Sequence, residues 1–478
     1  MRMRTHLTAD SASCGKRVTR LPGAETGIAL LALVLLLFLT GVAVYLSNVS
    51  ATSIQLQRQQ VTLTALAQAK EALIGYAVSP QLSPSGAARP GDLPCPDLND
   101  DGQAETSCGS AAGSQQARRL GRLPWKTLGL PDLRDGHGER LWYAVSNQFK
   151  KNTRSPQLNS DSRGTITVRD SSGAISHDGT NPSVYLPSGA IVGIFSPGAV
   201  LQRQGAGAPQ DRSCGSDTTC QSTGVCASIA TPNPTPKCNP LNYLDTALGE
   251  DNADFVDSNS NGFIQGVIKD AAGNAIVNDT LAIVTYQELM PLMEKRVVGE
   301  VRACFDSYGA ANSGRYPWAA PLNPAAAPAY NDTANIRFGR VPGTQFTGTN
   351  GTNPSMSLNW TTASCNIAST SGWWFSNNWK EIIFYGIAAA YAPDAPGPLG
   401  CGSPLTCLTV NPPSSLADKQ FVVFAAGTRL NIGAGQPRST NAQKADITNY
   451  LEGQNASIDD VFEMRPVSGS FNDQASYR

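Results

Sequence analysis

"TGIALLALVLLLFLTGVAVYL", residues 26–46, is the most apolar stretch of the chain, and its reading decides how the rest is organised. From Ile28 to Leu46 there are 19 residues without a charge. As a helix rising about 1.5 Å per residue, that run matches the roughly 30 Å hydrocarbon layer of a bilayer, so composition predicts a membrane span in contact with lipid. A secretory signal would carry a shorter apolar core, about 7–15 residues, and a small-residue cleavage site. Arg2, Arg4, Lys16, Arg17 and Arg20 precede the stretch, whereas the first basic residue after it is Arg58. The positive-inside rule then predicts a cytoplasmic N-terminus, with about 430 residues on the far side.

Those far-side residues hold ten cysteines, Cys95, Cys108, Cys214, Cys220, Cys226, Cys238, Cys304, Cys365, Cys401 and Cys407. Cys14 alone lies before the span. An even set behind a membrane anchor predicts disulfides in an oxidising compartment. Cys95 with Cys108 and Cys401 with Cys407 would close short loops, Cys304 with Cys365 is a further candidate pair, and the other four stay unassigned. A metal reading is weaker, because no CxxC occurs and only His137 and His177 follow the span. Net charge is −1, which provides no basic field for nucleic acid. Abundant Gly, Pro, Ser, Thr and Asn suit a loop-rich protein containing β-structure, long enough for two domains.

Beyond the apolar stretch, "SNVSATSIQLQRQQVTLTALAQAKEALIGYAV" contains no proline, and Leu56, Leu63, Leu66, Ala69, Leu73 and Tyr76 recur at helical spacings. One helix from Ile28 to about Val78 is expected, apolar all round in its first half and amphipathic in its second, which should pack on a sheet. A Pro- and Gly-punctuated loop, "RPGDLPCPDLNDDG", and then strand-like segments follow. This order returns. The helix "TYQELMPLMEKRVVGEVRACFDSYGAANSGRYPWAAP" ends in a Tyr-Pro-Trp loop as the first ends in a Leu-Pro-Cys loop. "WKEIIFYGIAAAY" echoes "GERLWYAVSNQF", "CLTV" echoes "TITV", and "FVVFAAGTRL" echoes "VGIFSPGAVL". "NYLEGQNA" echoes "NYLDTALGEDNA", and "FNDQ" echoes "VNDT". Matches kept in order argue for a tandem duplication. The expected fold is α+β: a basic leader, 1–27; the transmembrane half of the helix, 28–49; and two tandem modules, 50–280 and 281–478. Each module would be a helix packed on a small antiparallel sheet with disulfide-pinned loops. The Cys214–Cys238 region, with "TPNPTPKCNP", reads as an insertion in the first module.

A long helix, apolar then amphipathic, feeding an α+β module resembles the plan of type IV pilins and type II secretion pseudopilins. The most specific match is "DGHGERLWYAV", Asp135 to Val145, which is similar to the Asp-x-Trp-Gly-x-Pro-(aromatic or Leu)-x-Tyr signature of the major pseudopilin. Asp135, Gly138, Leu141 and Tyr143 match, while His137 stands for the Trp and Arg140 for the Pro. "LPWKTLGLPD" also resembles the run that precedes this signature. The resemblance implies cleavage by a prepilin peptidase between Gly27 and Ile28, followed by N-methylation. Gly23 is a poorer cleavage candidate, since Glu25 and Thr26 would then head the helix. Ala32 occupies the fifth mature position, where most members carry Glu, and minor pseudopilins at a filament tip also lack that Glu. Two forms stay open, a cleaved tip or minor subunit and an uncleaved anchor.

"DLNDDGQAE" has calcium-loop spacing through Asp97, Asn99 and Asp101, with Gly102 at the turn and Glu105 as a further carboxylate; the major pseudopilins bind calcium. "DSNSNGFI", through Asp257, Asn259 and Asn261, is closer to a plain turn. In "DGHGE", Asp135, His137 and Glu139 read as a tight turn before they read as acid–base catalysts. No Gly-x-Ser-x-Gly, His-Glu-x-x-His or phosphate-cradling loop occurs, so no enzyme is expected. Trp373, Trp374, Phe375 and Trp379 form either an exposed binding platform or core. The sequence thus predicts a non-catalytic pilin-like or pseudopilin-like subunit or accessory protein of a type II secretion or type IV pilus assembly. It would be single-pass in the bacterial inner membrane, with periplasmic modules, and would meet lipid, other pilin subunits and the peptidase but no nucleic acid. The alternative is a membrane-tethered binding module or adhesin.

Overall fold

A computed structural model describes residues 25–79, 89–109, 119–154, 157–180, 189–202, 209–254, 262–323, 330–343, 365, 373–402, 406–412, 415–431 and 435–478. Side chains of residues 25–29 and 46–51 lie outside the description. Two compact units are distinguished, one ending at Gln59 and one comprising Gln60–Arg478.

The N-terminal helix spans Glu25–Val78, 54 residues, and begins three residues before the expected start at Ile28. Among the described residues, no helix is long and apolar enough to cross a membrane. This corrects the expected transmembrane half of the fold. It also corrects the single-pass inner-membrane location, with cytoplasmic N-terminus and periplasmic modules, that was derived from it.

The second half of the helix buries a narrower stripe than its periodicity predicts. Ala65, Leu66, Ala69, Leu73, Tyr76 and Ala77 are buried, whereas Leu56 and Leu63, seven apart, are exposed. Burying a leucine such as Leu66 or Leu73 contributes about 1.5–3 kcal/mol. The stripe meets Leu141, Tyr143 and Val145 on one face of a four-stranded antiparallel sheet. In order across that sheet, the strands are Leu120–Arg122, Trp142–Val145, Val192–Ser196 and Thr280–Val284. The last strand carries the first half to Val284. Thr285 then caps the central helix Tyr286–Ala311 through a capping box with Glu288.

The second half repeats this topology. Its antiparallel sheet runs Phe338–Arg340, Ile383–Ile387, Phe421–Ala425 and Gln474–Tyr477. The register is the same: Arg122 opposes Trp142 and Trp142 opposes Phe195, as Arg340 opposes Phe384 and Phe384 opposes Phe424. Gly121 and Gly339 sit at matching positions where a Cβ would strike a neighbouring carbonyl oxygen, that of Asp97 or of Ala320. The partner tyrosines match too, Tyr143 donating to Pro94 O and Tyr385 to Pro317 O. Behind each main sheet lies a three-stranded one, and here the expectation of a single antiparallel sheet per module is corrected. Val168–Asp170 pairs parallel with Phe263–Gln265, and Leu408–Asn411 pairs parallel with Val461–Glu463. Parallel pairing requires a long crossover, which short sequence windows do not reveal.

The remaining echoes are one polar network built twice. Arg212 donates Nε to Asn242 O and Nη1 to Gly198 O; Arg438 donates Nε to Asn449 O and Nη1 to Gly427 O. Gln210 and Gln436 each hold the acid that immediately follows "NYL", Asp245 and Glu452 respectively, at 2.8 Å. Asp279 and Asp473 accept from the backbone N–H of those two acids and from Asn252 and Asn455. The guanidiniums of Arg122 and Arg340 lie over Tyr243 and Tyr450, 4.0 and 4.5 Å from the ring centroids.

The halves share one compact unit because polar ties cross between them. Asn377 Oδ1 accepts from Arg89 Nη1 and Leu158 N, its carbonyl accepts from Asn159, and Asp161 pairs with Arg429 and Arg438. One apolar core runs continuously from Leu73 through Val297 and Val301 to Phe421.

Candidate functional site

The first candidate is the apolar length of the N-terminal helix. Every residue from Leu30 to Tyr45 is exposed, including Leu30 at 67%, Phe38 at 68% and Tyr45 at 69%. Exposed apolar surface that is contiguous and uncharged marks an interaction surface. Gly27 and Ile28, the proposed cleavage pair, lie inside the helix, and their side chains fall outside the description. Ala32, the fifth residue after that bond, is exposed. Residues 1–24 of the leader are likewise outside the described residues.

The candidate calcium loop is closed on itself. Asp97 is 1% exposed; its Oδ1 accepts from Asn99 N and Asp101 N, and its Oδ2 accepts from Gly102 N at 2.7 Å. Asn99 Oδ1 accepts from Asp101 N, and Asp101 Oδ1 accepts from Gln103 N at 2.7 Å. Glu105 is half-buried and is joined to the loop through its backbone N–H, which donates to Pro96 O. These are Asx-turn bonds, in which carboxylates satisfy backbone donors. Burial pushes the Asp97 carboxyl up to about 6, against the pull of the Gly102 and Asn99 amides. Among the described residues, no group of three or more His, Cys, Asp or Glu side chains converges to hold a metal. Because the Asp97, Asn99 and Asp101 oxygens already accept from backbone amides, millimolar calcium is expected to leave the thermal midpoint unmoved, and a rise of several degrees in a calcium titration would overturn that expectation. The second loop, Asp257, Asn259 and Asn261, lies outside the described residues.

The "DGHGE" segment is a turn that joins helix to sheet. Asp135 is buried; its Oδ1 accepts from His137 N and Glu139 N, and its Oδ2 from Ser196 Oγ and Gly198 N. Gly138 has φ +84°, a conformation that glycine adopts without cost. Gly136 N donates to Thr62 Oγ1 on the N-terminal helix. His137 is exposed, so no imidazole–carboxylate pair is assembled. The aromatic cluster is core: Trp374 and Trp379 are 2% and 0% exposed, and Trp373 meets Trp374 edge to face.

The ten cysteines that follow the apolar stretch all pair: Cys95–Cys108, Cys214–Cys220, Cys226–Cys238, Cys304–Cys365 and Cys401–Cys407; Cys14 lies outside the described residues. The two bridges between 214 and 238 pin the insertion of the first half: Cys214 ties to Cys220 within the short helix Thr218–Thr223, and Cys226–Cys238 closes the loop that follows it.

The insertion walls a cavity of about 420 Å³ that sequence reading did not anticipate. Its basic side chains come from Arg122 to Lys237, scattered in sequence over the sheet edge, two loops and the insertion, so no local motif announces it. Compared with known proteins, the chain matches no family model, no curated protein and no solved structure.

Proposed function

We propose that this chain is a non-catalytic structural subunit, or an accessory protein, of a pilin-like or pseudopilin-like assembly of the type IV pilus or type II secretion kind. The exposed apolar run Leu30–Tyr45 carries this reading. Helices of this character pack side by side when several copies align, which removes leucine and valine side chains from water at about 25 cal/mol per Å². The lack of a carboxylate at Ala32 supports a terminal or minor position, because such a helix offers no counter-charge to a neighbour's N-terminal amine. The burial of Trp374 and Trp379 removes the main support for the adhesin alternative.

The test is association of the full chain. It is expected to sediment as multimers in mild detergent, and the pair Leu33→Glu/Leu37→Glu is expected to give monomers. The denaturation midpoint of the remainder should stay unchanged. A monomeric unaltered chain, or multimers that survive both substitutions, would overturn the reading. Mass spectrometry of the protein from its native cells should show a chain beginning at methylated Ile28; one beginning at Met1 would remove the filament role.

A further inference from the structure

The two halves serve as internal controls for each other, and they differ around the equivalent arginines Arg122 and Arg340. In the second half, Arg340 is closed off by protein: Nη1 donates to Glu381 O and Nη2 to Lys444 O, beside the short helix Asn441–Ala445. In the first half the equivalent Arg122 faces the cavity of about 420 Å³. Arg122 is 2% exposed and its Nη1 donates to Arg140 O; its Nε, like that of Arg340, has no hydrogen-bond partner.

The charge of this cavity is unlike that of the chain. Six basic side chains, Arg122, Lys126, Arg134, Arg140, Arg212 and Lys237, line it with only Asp100, Asp101 and Glu139 as acids. With Asp132, which pairs with both Arg134 and Arg140, counted as a fourth acid, two positive charges remain in excess in a chain whose net charge is −1. One carboxylate, Asp100, is shared by three of the cations: Arg140 Nη1 at 3.0 Å, Lys237 Nζ at 3.2 Å and Arg122 Nε at 3.7 Å. Cations held close together with too few anions repel one another. A bound anion relieves it. The walls are held in place by Cys226–Cys238 and by the Arg140–Asp132 pair, so the cationic cluster is organised before any ligand arrives.

We propose that this cavity binds a small multivalent oxyanion of the phosphate class, a phosphate ester or diphosphate held by Arg122, Lys126 and Lys237. Guanidinium forks and ammonium groups both match phosphate oxygens, and the volume exceeds the need of a single inorganic phosphate. The reading is independent of the apolar helix, and either can fail without the other.

The experiment is calorimetric titration of the full chain with pyrophosphate, with citrate as a second arm, at low constant ionic strength. Saturable one-to-one binding of pyrophosphate is expected, tighter than citrate and weakened by added sodium chloride. Lys126→Gln/Lys237→Gln is expected to weaken it at least about tenfold, and Lys444→Gln, in the second half, to leave it unchanged. The single variant Lys126→Gln, at an exposed position, guards against loss of folding in the pair and should weaken binding severalfold. Absence of saturable binding, equal binding of citrate, or affinity unmoved by the lysine variants would overturn the proposal.

Discussion

Arg438→Met is expected to destabilise the unit Gln60–Arg478 by about 3 kcal/mol, one of the largest effects of any single substitution in the chain. Arg438 is 5% exposed. It donates Nε to Asn449 O at 2.6 Å, Nη1 to Gly427 O at 3.2 Å and to Asp161 Oδ1 at 3.1 Å, and Nη2 to Gln436 Oε1 at 3.4 Å. Its guanidinium also lies 4.5 Å from the ring centroid of Tyr450. Methionine fills the volume but leaves two buried carbonyl oxygens without a donor, and each orphan costs about 1–3 kcal/mol. Asp161, 22% exposed, can turn to water, which holds the loss near the lower end of the range for a broken buried pair.

The twin position gives the comparison that identifies the cause. Arg212 makes the same bonds to Asn242 O, Gly198 O and Gln210 Oε1, but its ion pair is with Glu139 of its own half. Arg212→Met should therefore cost about as much in its backbone bonds, whereas only Arg438→Met loosens the tie between halves. Guanidinium denaturation would show this as a lower midpoint for both variants and a broadened or split transition for Arg438→Met alone. A loss below about 1 kcal/mol for both would remove the network from the list of what holds the fold together.

How far the sequence exposes this architecture depends on the range of each interaction. The echoes "FVVFAAGTRL" and "VGIFSPGAVL" fall on the third strand of each main sheet in the same register, because strand identity is written in a few consecutive apolar residues. "NYLD", "NYLE", "VNDT" and "FNDQ" repeat for a chemical reason: each places an acid and an amide that must meet inside the protein. Their meeting partners, Gln210 and Gln436, are separated from them by loops of different length, and that pairing was not legible. Four cysteines between 214 and 238 permit three connectivities, and only the fold selects 214–220 and 226–238. The exposed Leu56 and Leu63 show why periodicity overreached: it detects an apolar stripe without saying what covers it. The membrane reading came from the same source, since hydropathy reports apolarity and leaves open whether lipid or another helix is the partner. The cationic cavity was hidden for the opposite reason, because its residues carry no local pattern.

The second large effect is a reversed pH dependence from the two buried acid pairs. In the first half Asp279 is 1% exposed and accepts on Oδ2 from the backbone N–H of its partner acid Asp245; in the second, Asp473 accepts in the same way from Glu452. Burial, and then repulsion by the partner acid, raises the Asp279 and Asp473 carboxyls well above the ordinary carboxylate range. Burial also raises Asp245 and Glu452, against the pull of Arg212 and Arg438. Each pair therefore holds a proton in the folded protein that the unfolded chain releases above about pH 4. Because the folded state binds more protons, this contribution is complete below about pH 4 and is lost as pH rises toward the raised folded values, at about 1.4 kcal/mol per pH unit for each retained proton. Asp279→Asn/Asp473→Asn replaces the acid O–H by an amide N–H that can donate to the partner carboxylate, while the amide oxygen accepts from Asn252 and Asn455. The double variant is expected to match the unaltered chain near pH 4–5 and to exceed it in stability at pH 8, with the slope between them flattened. Urea denaturation across that range measures it. Equal slopes for the two proteins would mean that neither pair carries a shared proton, and the duplicated network would then have to keep four buried carboxylates charged against Arg212 and Arg438 alone.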